Sequence, residues 1–67
     1  MIDIKLNGQP HQVAADTSVA TLLEAHGWAQ RRVAVERNGE IVPKSQHSTT
    51  SLQSGDRLEV VQAIGGG

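Results

Sequence analysis

The residues with the clearest chemical potential are the last four of the sequence, Ile64-Gly65-Gly66-Gly67. Glycine has no Cβ, so a run of glycines has a narrow cross-section, and it contributes little to a helix or a strand. Such a segment suits threading through a tight channel in another protein. We therefore predict that the Gly67 carboxylate reacts, and that Ile64, Gly65 and Gly66 enter the active sites of partner enzymes. A frayed chain end is the alternative interpretation.

The rest of the sequence contains no catalytic set of its own. It has no cysteine, which excludes a thiol nucleophile, a disulfide and a thiolate metal site. The three histidines, His11, His26 and His47, fall on different predicted elements and lack the spacing of metal ligands. We therefore expect no catalytic residue, no metal and no bound cofactor. The chain is predicted to be a substrate of enzymes and not an enzyme itself.

Length and charge narrow the class of protein further. The 67 residues make one small domain, near the lower size limit for a single hydrophobic core. The net charge is −1, the six Lys and Arg residues are scattered apart from Arg31-Arg32, and Trp28 is the one aromatic residue, so nucleic-acid binding is not expected. No signal-peptide pattern and no membrane-length apolar stretch is present, which predicts a soluble, cytoplasmic protein.

Alternation of apolar and polar residues predicts a hairpin at the start of the chain. Ile2, Ile4 and Leu6 alternate with polar residues, as in a half-buried strand. Asn7-Gly8 follows, and this pair is typical of a two-residue type I′ turn because both residues tolerate positive φ. The return strand is predicted to extend from about His11 to Ala15.

A short amphipathic helix is predicted to follow this hairpin. Ser18 is the expected N-cap, since its hydroxyl can accept from an unpaired backbone N–H, and Gly27 is expected to end the helix. His26 is expected to pack its ring at the helix end, and Trp28 to cover one end of the core. The predicted inward stripe consists of Val19, Leu22, Leu23 and His26.

Three more strands complete the predicted fold, in the order ββαββ plus a final strand. They contain Val33 and Val35, then Glu40 to Val42, and lastly Arg57 to about Ala63, while residues 44–53 are expected to be polar and irregular with Leu52 as an anchor. The expected fold is α+β, a mixed sheet of four to five strands packed on one helix. We expect the first and last strands to pair in parallel at its centre. We expect residues 1–63 to form the domain and residues 64–67 to form a flexible tail.

The last strand also predicts a partner-binding surface. If Leu58 and Val60 point inward, Val61 and Ala63 point to the opposite face and form a small apolar strip beside Ile64. We expect partner contact there. Arg31-Arg32 is interpreted as a solvated loop, with attraction to an acidic patch on a partner as the alternative. The acidic residues expected to be solvated, some of them steering a basic partner, are Asp3, Glu36, Glu40 and Glu59.

The chain resembles the ubiquitin-like β-grasp fold, and in particular the ThiS family of bacterial thiamine-pathway sulfur carriers. The likeness covers essentially the whole chain, and its departure is a third terminal glycine where the minimal family motif has two. The segments that carry it are Val33-Ala34-Val35, Asn38-Gly39-Glu40-Ile41-Val42-Pro43-Lys44, Gly55-Asp56-Arg57-Leu58-Glu59-Val60-Val61 and Ala63-Ile64-Gly65-Gly66-Gly67.

This resemblance implies a specific chemistry for Gly67. A ThiF-like adenylyltransferase would consume ATP to form a mixed anhydride between Gly67 and AMP. A sulfur donor supplied by a cysteine desulfurase would convert this to a thiocarboxylate. A ThiG-like thiazole synthase would then take the sulfur into the thiazole ring of thiamine.

Three alternatives stay open on the residues alone. The small subunit of molybdopterin synthase shares the fold, the tail and the thiocarboxylate. A ubiquitin-like modifier would instead end in an isopeptide bond to a lysine. An interaction module would use the sheet for binding, with no chemistry at Gly67.

Overall fold

Five strands and one helix account for half of residues 1–62, which are the residues that this computed structural model describes. The predictions for Ala63, Ile64 and the three glycines at 65–67 lie outside the described residues. The elements in chain order are β1 (Ile2–Leu6), β2 (Gln9–Val13), α1 (Val19–Ala25), β3 (Val33–Arg37), β4 (Glu40–Val42), a 3-10 turn (Lys44–Gln46) and β5 (Arg57–Gln62).

The strands form one mixed sheet in the order β2-β1-β5-β3-β4. β1 and β5 pair in parallel, and the other neighbours pair antiparallel. The first and last strands are therefore adjacent and central, as predicted. β5 lies between β1 and β3, so the last described residue, Gln62, is held at the middle of the sheet.

Both predicted bounds of the second strand, about His11 and Ala15, were two residues too late. β2 begins at Gln9, which pairs with Leu6, and it ends at Val13, opposite Ile2. Asn7 and Gly8 have φ of 51° and 81°, the positive values of the predicted two-residue turn. Such a turn lets pairing resume with the next residue, so no room remains for a longer loop.

Helix α1 covers the inner face of the sheet. Ser18 caps its start, because the backbone N–H of Thr21 donates to the Ser18 hydroxyl at 3.1 Å. Gly27 adopts φ of 75° just beyond its end. His26 departs from the predicted stripe: the helix ends at Ala25, and His26 is an exposed C-cap residue. The buried core consists of Ile4, Leu6, Val19, Leu22, Leu23, Val35, Val42, Leu52, Leu58 and Val60.

The segment 44–53 is more ordered than predicted. It begins with the 3-10 turn, and its backbone carbonyls accept from the first N–H groups of the helix. Val19 N–H donates to Thr50 O at 3.0 Å, and Ala20 N–H donates to His47 O at 2.9 Å. These donors have no partner within a helix, so the segment satisfies them. Leu52 is the buried anchor that the sequence predicts.

No helical segment within residues 1–62 has both the length and the hydropathy needed to span a bilayer.

Candidate functional site

The outer face of the sheet, opposite α1, exposes an apolar strip beside the end of β5. Val61 is 58% exposed, which confirms the face predicted from alternation with Leu58 and Val60. It pairs across the sheet with exposed Ala34 on β3. Val61 lies one residue before Gln62, where the described chain ends. Its contact with a partner stays a prediction, and Ala63, the second predicted contact, lies beyond the described part of the chain.

Two glutamates occupy the next row of this face. Glu36 on β3 and Glu59 on β5 are direct cross-strand partners, and Glu36 also pairs with Ile41 on β4, which is 63% exposed. Like charges directly opposite each other destabilise a sheet. Arg57 lines the same shallow depression but is not within ion-pair distance of either carboxylate. The outer face thus presents two adjacent glutamates, with exposed Ile41 beside them in the same row and the apolar strip in the next row.

The side chain of Asn7 extends the pairing of β5 after β1 has ended. Val60 N–H donates to Asn7 Oδ1 at 2.8 Å, and Asn7 Nδ2 donates to Val60 O at 3.3 Å. The amide therefore takes the place of a further β1 peptide group beside β5. We call this pair of bonds the Asn7 clamp. The sequence predicts Asn7 as a turn residue only, since a contact 53 positions away leaves no local signal.

Removing the Asn7 clamp is expected to loosen the end of β5. Asn7→Gly keeps the positive φ of the turn but leaves the N–H and C=O of Val60 without these bonds, so we expect a loss of about 1–3 kcal/mol in the free energy of unfolding. Urea denaturation measures this loss, and amide exchange should accelerate at Val60. Asn7→Asp, which retains the acceptor for the Val60 N–H, is the matched control with a smaller loss. Equal stability of Asn7→Gly and wild type would contradict the clamp.

Asp56 lies at the opposite end of β5, almost fully buried at 5% exposure. Its carboxylate accepts from Arg37 Nε at 2.7 Å, from Gln53 N–H at 2.8 Å and from Asn38 Nδ2 at 3.0 Å. Burial acts to raise the pKa of Asp56. The hydrogen bonds from Arg37, Gln53 and Asn38, together with the charge of Arg37, outweigh it and hold that pKa below its ordinary value. This group ties the β3–β4 turn to the turn before β5.

Two of the three histidines, His11 and His26, contact each other, while His47 is buried elsewhere. His26 stacks on Trp28 at 4.8 Å between ring centroids, and His11 meets His26 edge-on at 5.4 Å. Trp28 is half-buried against the core, which confirms its predicted covering position. His47 is 9% exposed, and its Nε2 lies 3.0 Å from Val42 O. Within residues 1–62, no three His, Cys, Asp or Glu side chains are grouped as a metal site would require.

The burial of His47 was missed by sequence reasoning. The residue sits in a run of polar residues, and hydrophobic periodicity gives no reason to bury it. Its ring contact with Val42 and its backbone contact with Ala20 fix the segment 44–53 against both the sheet and the helix.

A small mixed sheet with a central parallel pair of first and last strands, packed on one helix, defines the ubiquitin-like β-grasp class of proteins. The crystal structure of a thiamine biosynthesis protein (ThiS) from Geobacter metallireducens superposes on this chain with a TM-score of 0.84 at 35% identity, covering 98% of this chain and 100% of that one. The model of the ThiS family matches residues 4–67. The chain belongs to the ThiS family.

Relatives by sequence include two kinds of protein. The sulfur carrier protein ThiS of Escherichia coli is 36% identical over 66 residues, 98% of this chain and 100% of that protein. A thiazole synthase of Magnetococcus marinus is 45% identical over 64 residues, 96% of this chain and 20% of that protein. The chain thus spans about a fifth of the length of the thiazole synthases that it matches.

Proposed function

We propose that this protein is a sulfur carrier of thiamine biosynthesis that holds sulfur as a thiocarboxylate on Gly67. The observation that carries the proposal is the ThiS family match, which extends through the glycine-rich end of the sequence. The likeness to the Escherichia coli sulfur carrier over that protein's whole length supports it. The names of these relatives favour the thiamine pathway over the molybdopterin alternative. We also propose a cytoplasmic location, where ATP-consuming partners operate.

The chemistry of a carboxylate explains why an activating partner is required. The negative charge of Gly67 repels nucleophiles, and oxide is not a viable leaving group. In the proposed first step, a Gly67 oxygen attacks the α-phosphorus of ATP on a ThiF-like adenylyltransferase, which releases pyrophosphate and leaves an acyl adenylate. A persulfide sulfur, derived from cysteine through a desulfurase, then displaces AMP. A thiol reduces the resulting sulfur–sulfur bond and frees the thiocarboxylate.

The proposed acceptor of the sulfur is a ThiG-like thiazole synthase. In two thiazole synthases, the stretch that matches this chain forms about a fifth of one longer polypeptide. The joining of a carrier-like stretch to a protein of that name supports a functional partnership. In the proposed cycle the synthase takes the sulfur and Gly67 returns as a carboxylate.

This protein's own contribution is a docking surface and a threaded tail. Val61 and Ala34 offer apolar area beside the end of β5, and the neighbouring Glu36 and Glu59 would attract basic residues of a partner. A cation placed between these glutamates would also relieve their mutual repulsion. Ala63 extends this proposed contact, and Ile64, Gly65 and Gly66 form the part threaded into the partner.

The intact mass of the protein tests the proposal. The chain is incubated with its adenylyltransferase, ATP, a cysteine desulfurase, cysteine and a thiol reductant. The expected product carries one sulfur in place of one oxygen, localised to the C-terminal peptide that contains Gly67. An unchanged mass, with the same enzymes active on another carrier, would contradict the proposal. A covalent ladder on lysines of other proteins in cell extract would instead identify a modifier.

Val61→Asp is expected to weaken binding of the adenylyltransferase by roughly tenfold or more. A carboxylate buried without a partner in an apolar contact carries a large desolvation penalty. The fold should be retained because Val61 is exposed. Calorimetric titration gives the Kd. Ile41→Asp is the matched control, since Ile41 is similarly exposed but lies on the edge strand β4. Equal Kd values for Val61→Asp and wild type would exclude this contact.

A further inference from the structure

The outward residues of β5 form a regular series of three different chemistries. Arg57, Glu59 and Val61 are exposed and alternate with buried Leu58 and Val60, so all three point to the outer face of the sheet. Residues two positions apart on a strand are separated by about 6.8 Å. A cation, an anion and an apolar side chain therefore follow one another at equal intervals toward the end of the strand.

A hollow of about 320 Å³ lies on the same face, beside the start of this series. Its lining is mainly apolar and includes Pro10, Gly55 and Arg57. Exposed Lys5 also lines it, and Lys5 pairs with Pro10 on β2 and with Arg57 on β5. The register of the sheet thus places the two cations next to each other. We call this feature the β5 hollow.

The charges on this face are not paired within one copy of the domain. Neither Lys5 nor Arg57 lies within ion-pair distance of a carboxylate anywhere in residues 1–62. Glu59 faces the like charge of Glu36 across the sheet, which is unfavourable by itself. The two cations are likewise direct neighbours across β1 and β5. A surface that offers both signs of charge in adjacent rows would balance all four residues.

The carboxylates that line the β5 hollow already have partners. Asp3 Oδ1 accepts from Gln12 Nε2 at 3.0 Å, and Asp56 accepts from Arg37 Nε at 2.7 Å. An apolar side chain seated in the hollow would therefore not have to replace a missing hydrogen bond of either carboxylate.

The series on β5 is complementary to its own reverse. When two copies face each other with their β5 strands antiparallel, a two-fold axis over Leu58 places Arg57 of each copy opposite Glu59 of the other, because these residues are equally far from the axis. Val61 lies about 6.8 Å beyond Glu59 and then falls over the β5 hollow of the other copy, which begins beyond Arg57. A two-fold interface requires such a surface, since each residue contacts its counterpart reciprocally.

We propose that the outer face of the sheet binds a second copy of this chain and forms a weak, two-fold symmetric dimer. Two sheets packed face to face with aligned strand axes are a common arrangement, about 10 Å apart. The net charge of −1 leaves little long-range repulsion between the copies. Exposed ion pairs contribute little each, so the dimer is reversible and sensitive to salt.

The dimer has a consequence for the proposed function, although it does not rest on it. It covers Val61, which is the contact proposed above for the adenylyltransferase. The enzyme and the second copy therefore compete for the same face, and the dimer holds the carrier in reserve until the enzyme displaces one copy.

Charge reversal and charge exchange on β5 test the inference. In sedimentation equilibrium at low salt, the apparent mass of wild type should rise from one chain toward two with concentration, and added salt should weaken the association. Arg57→Glu and Glu59→Arg should each raise the Kd of dimerisation by about tenfold or more, because one substitution alters two symmetric contacts. Both substitutions in one chain restore opposed charges, so the Kd should return to within about threefold of wild type.

Glu24→Lys is the matched control for the change of charge. Glu24 is exposed on α1, which covers the other face of the sheet, so its substitution should leave the Kd of dimerisation within about twofold of wild type. Thermal unfolding checks the fold of every variant. Amide chemical shifts of wild type should move with concentration at Gly55, Glu59 and Val61 and stay constant along α1.

The outcomes separate this inference from the proposed function. A wild type that stays monomeric at low salt and millimolar concentration overturns the dimer. If Val61→Asp nevertheless weakens binding of the adenylyltransferase, the outer face serves that enzyme alone and the proposed function stands. Dimerisation that Arg57→Glu leaves unchanged, or that the exchanged chain fails to recover, places the contact on another surface and also overturns the inference. Formation of the thiocarboxylate is measured separately and depends on neither result.

Discussion

Deleting Gly66 and Gly67 is expected to abolish thiocarboxylate formation while leaving the melting temperature unchanged. In the proposed mechanism the reacting carboxylate must reach the α-phosphorus of ATP inside the activating enzyme, and two residues span about 7 Å of extended chain. A shortened tail would hold its carboxylate outside the reacting distance. Every buried hydrophobic side chain of the described domain lies between Ile4 and Val60, so the core is not expected to change.

A second variant separates the length of the tail from its width. Gly66→Ala combined with Gly67→Ala retains the carboxylate and the length but adds two Cβ atoms, so it should be converted more slowly than wild type if the channel admits only glycine. Intact mass against time, with calorimetry for the melting temperature, measures both effects. Conversion of the deletion variant at the wild-type rate would mean that the site of reaction is not Gly67.

Replacing Asp56 is expected to have the largest effect on stability. Asp56→Asn keeps the shape of the side chain but removes the charge that faces Arg37 Nε. Oδ2 accepts from Arg37 and Gln53 and Oδ1 accepts from Asn38, so an amide nitrogen at either position leaves at least one of these donors without an acceptor. A buried donor left without an acceptor costs about 1–3 kcal/mol, and more when it is charged, so we expect a loss of about 2–4 kcal/mol at pH 7. Small domains have about 5–15 kcal/mol in total.

The pH dependence of this loss identifies its electrostatic part. The pKa of Asp56 is lowered in the folded state, so its contribution is complete above the unfolded value of about 3.9 and is lost as pH falls through the lower folded pKa. The difference between wild type and Asp56→Asn should therefore be widest at neutral pH and narrow below about pH 4. Urea denaturation across this range measures it. Asp3→Asn, at an exposed position, is the control, expected to change stability by less than about 0.5 kcal/mol. A difference in unfolding free energy that does not narrow in acid would exclude a stabilising contribution from the charge of Asp56.

Local patterns in the sequence predicted most of the fold. Alternation identified the inward residues of β1, β3 and β5, the Ser18 cap and Gly27 bounded the helix, and Asn7-Gly8 marked the first turn. Each of these signals depends on a few neighbouring residues, so it can be recognised in a single sequence. The start of β2 was misplaced, because a strand edge depends on its pairing partner as well as on its own residues.

The features that the sequence did not predict all join distant positions. The Asn7 clamp links residues 53 positions apart, and the Asp56 carboxylate meets Arg37 across 19. His47 is buried because a polar segment folds over the helix start. These contacts depend on the completed topology, and residue type alone does not specify them. The proposed reacting end, in contrast, was predicted from composition, since three consecutive glycines are informative wherever they lie.

The central position of β5 has a mechanical consequence. A partner that draws the tail inward applies tension at Gln62 along the axis of β5. On the β1 side, the Asn7 clamp resists this tension together with the backbone hydrogen bonds from Lys5 N–H to Asp56 O and from Asn7 N–H to Leu58 O. On the β3 side, the antiparallel pairing of β3 and β5 resists it. These bonds lie across the direction of pull, so they are strained together in shear and cannot be peeled apart one at a time. An edge strand carrying the same tail could be unzipped from the sheet. Traction on this chain should therefore move the domain toward the partner as a rigid body.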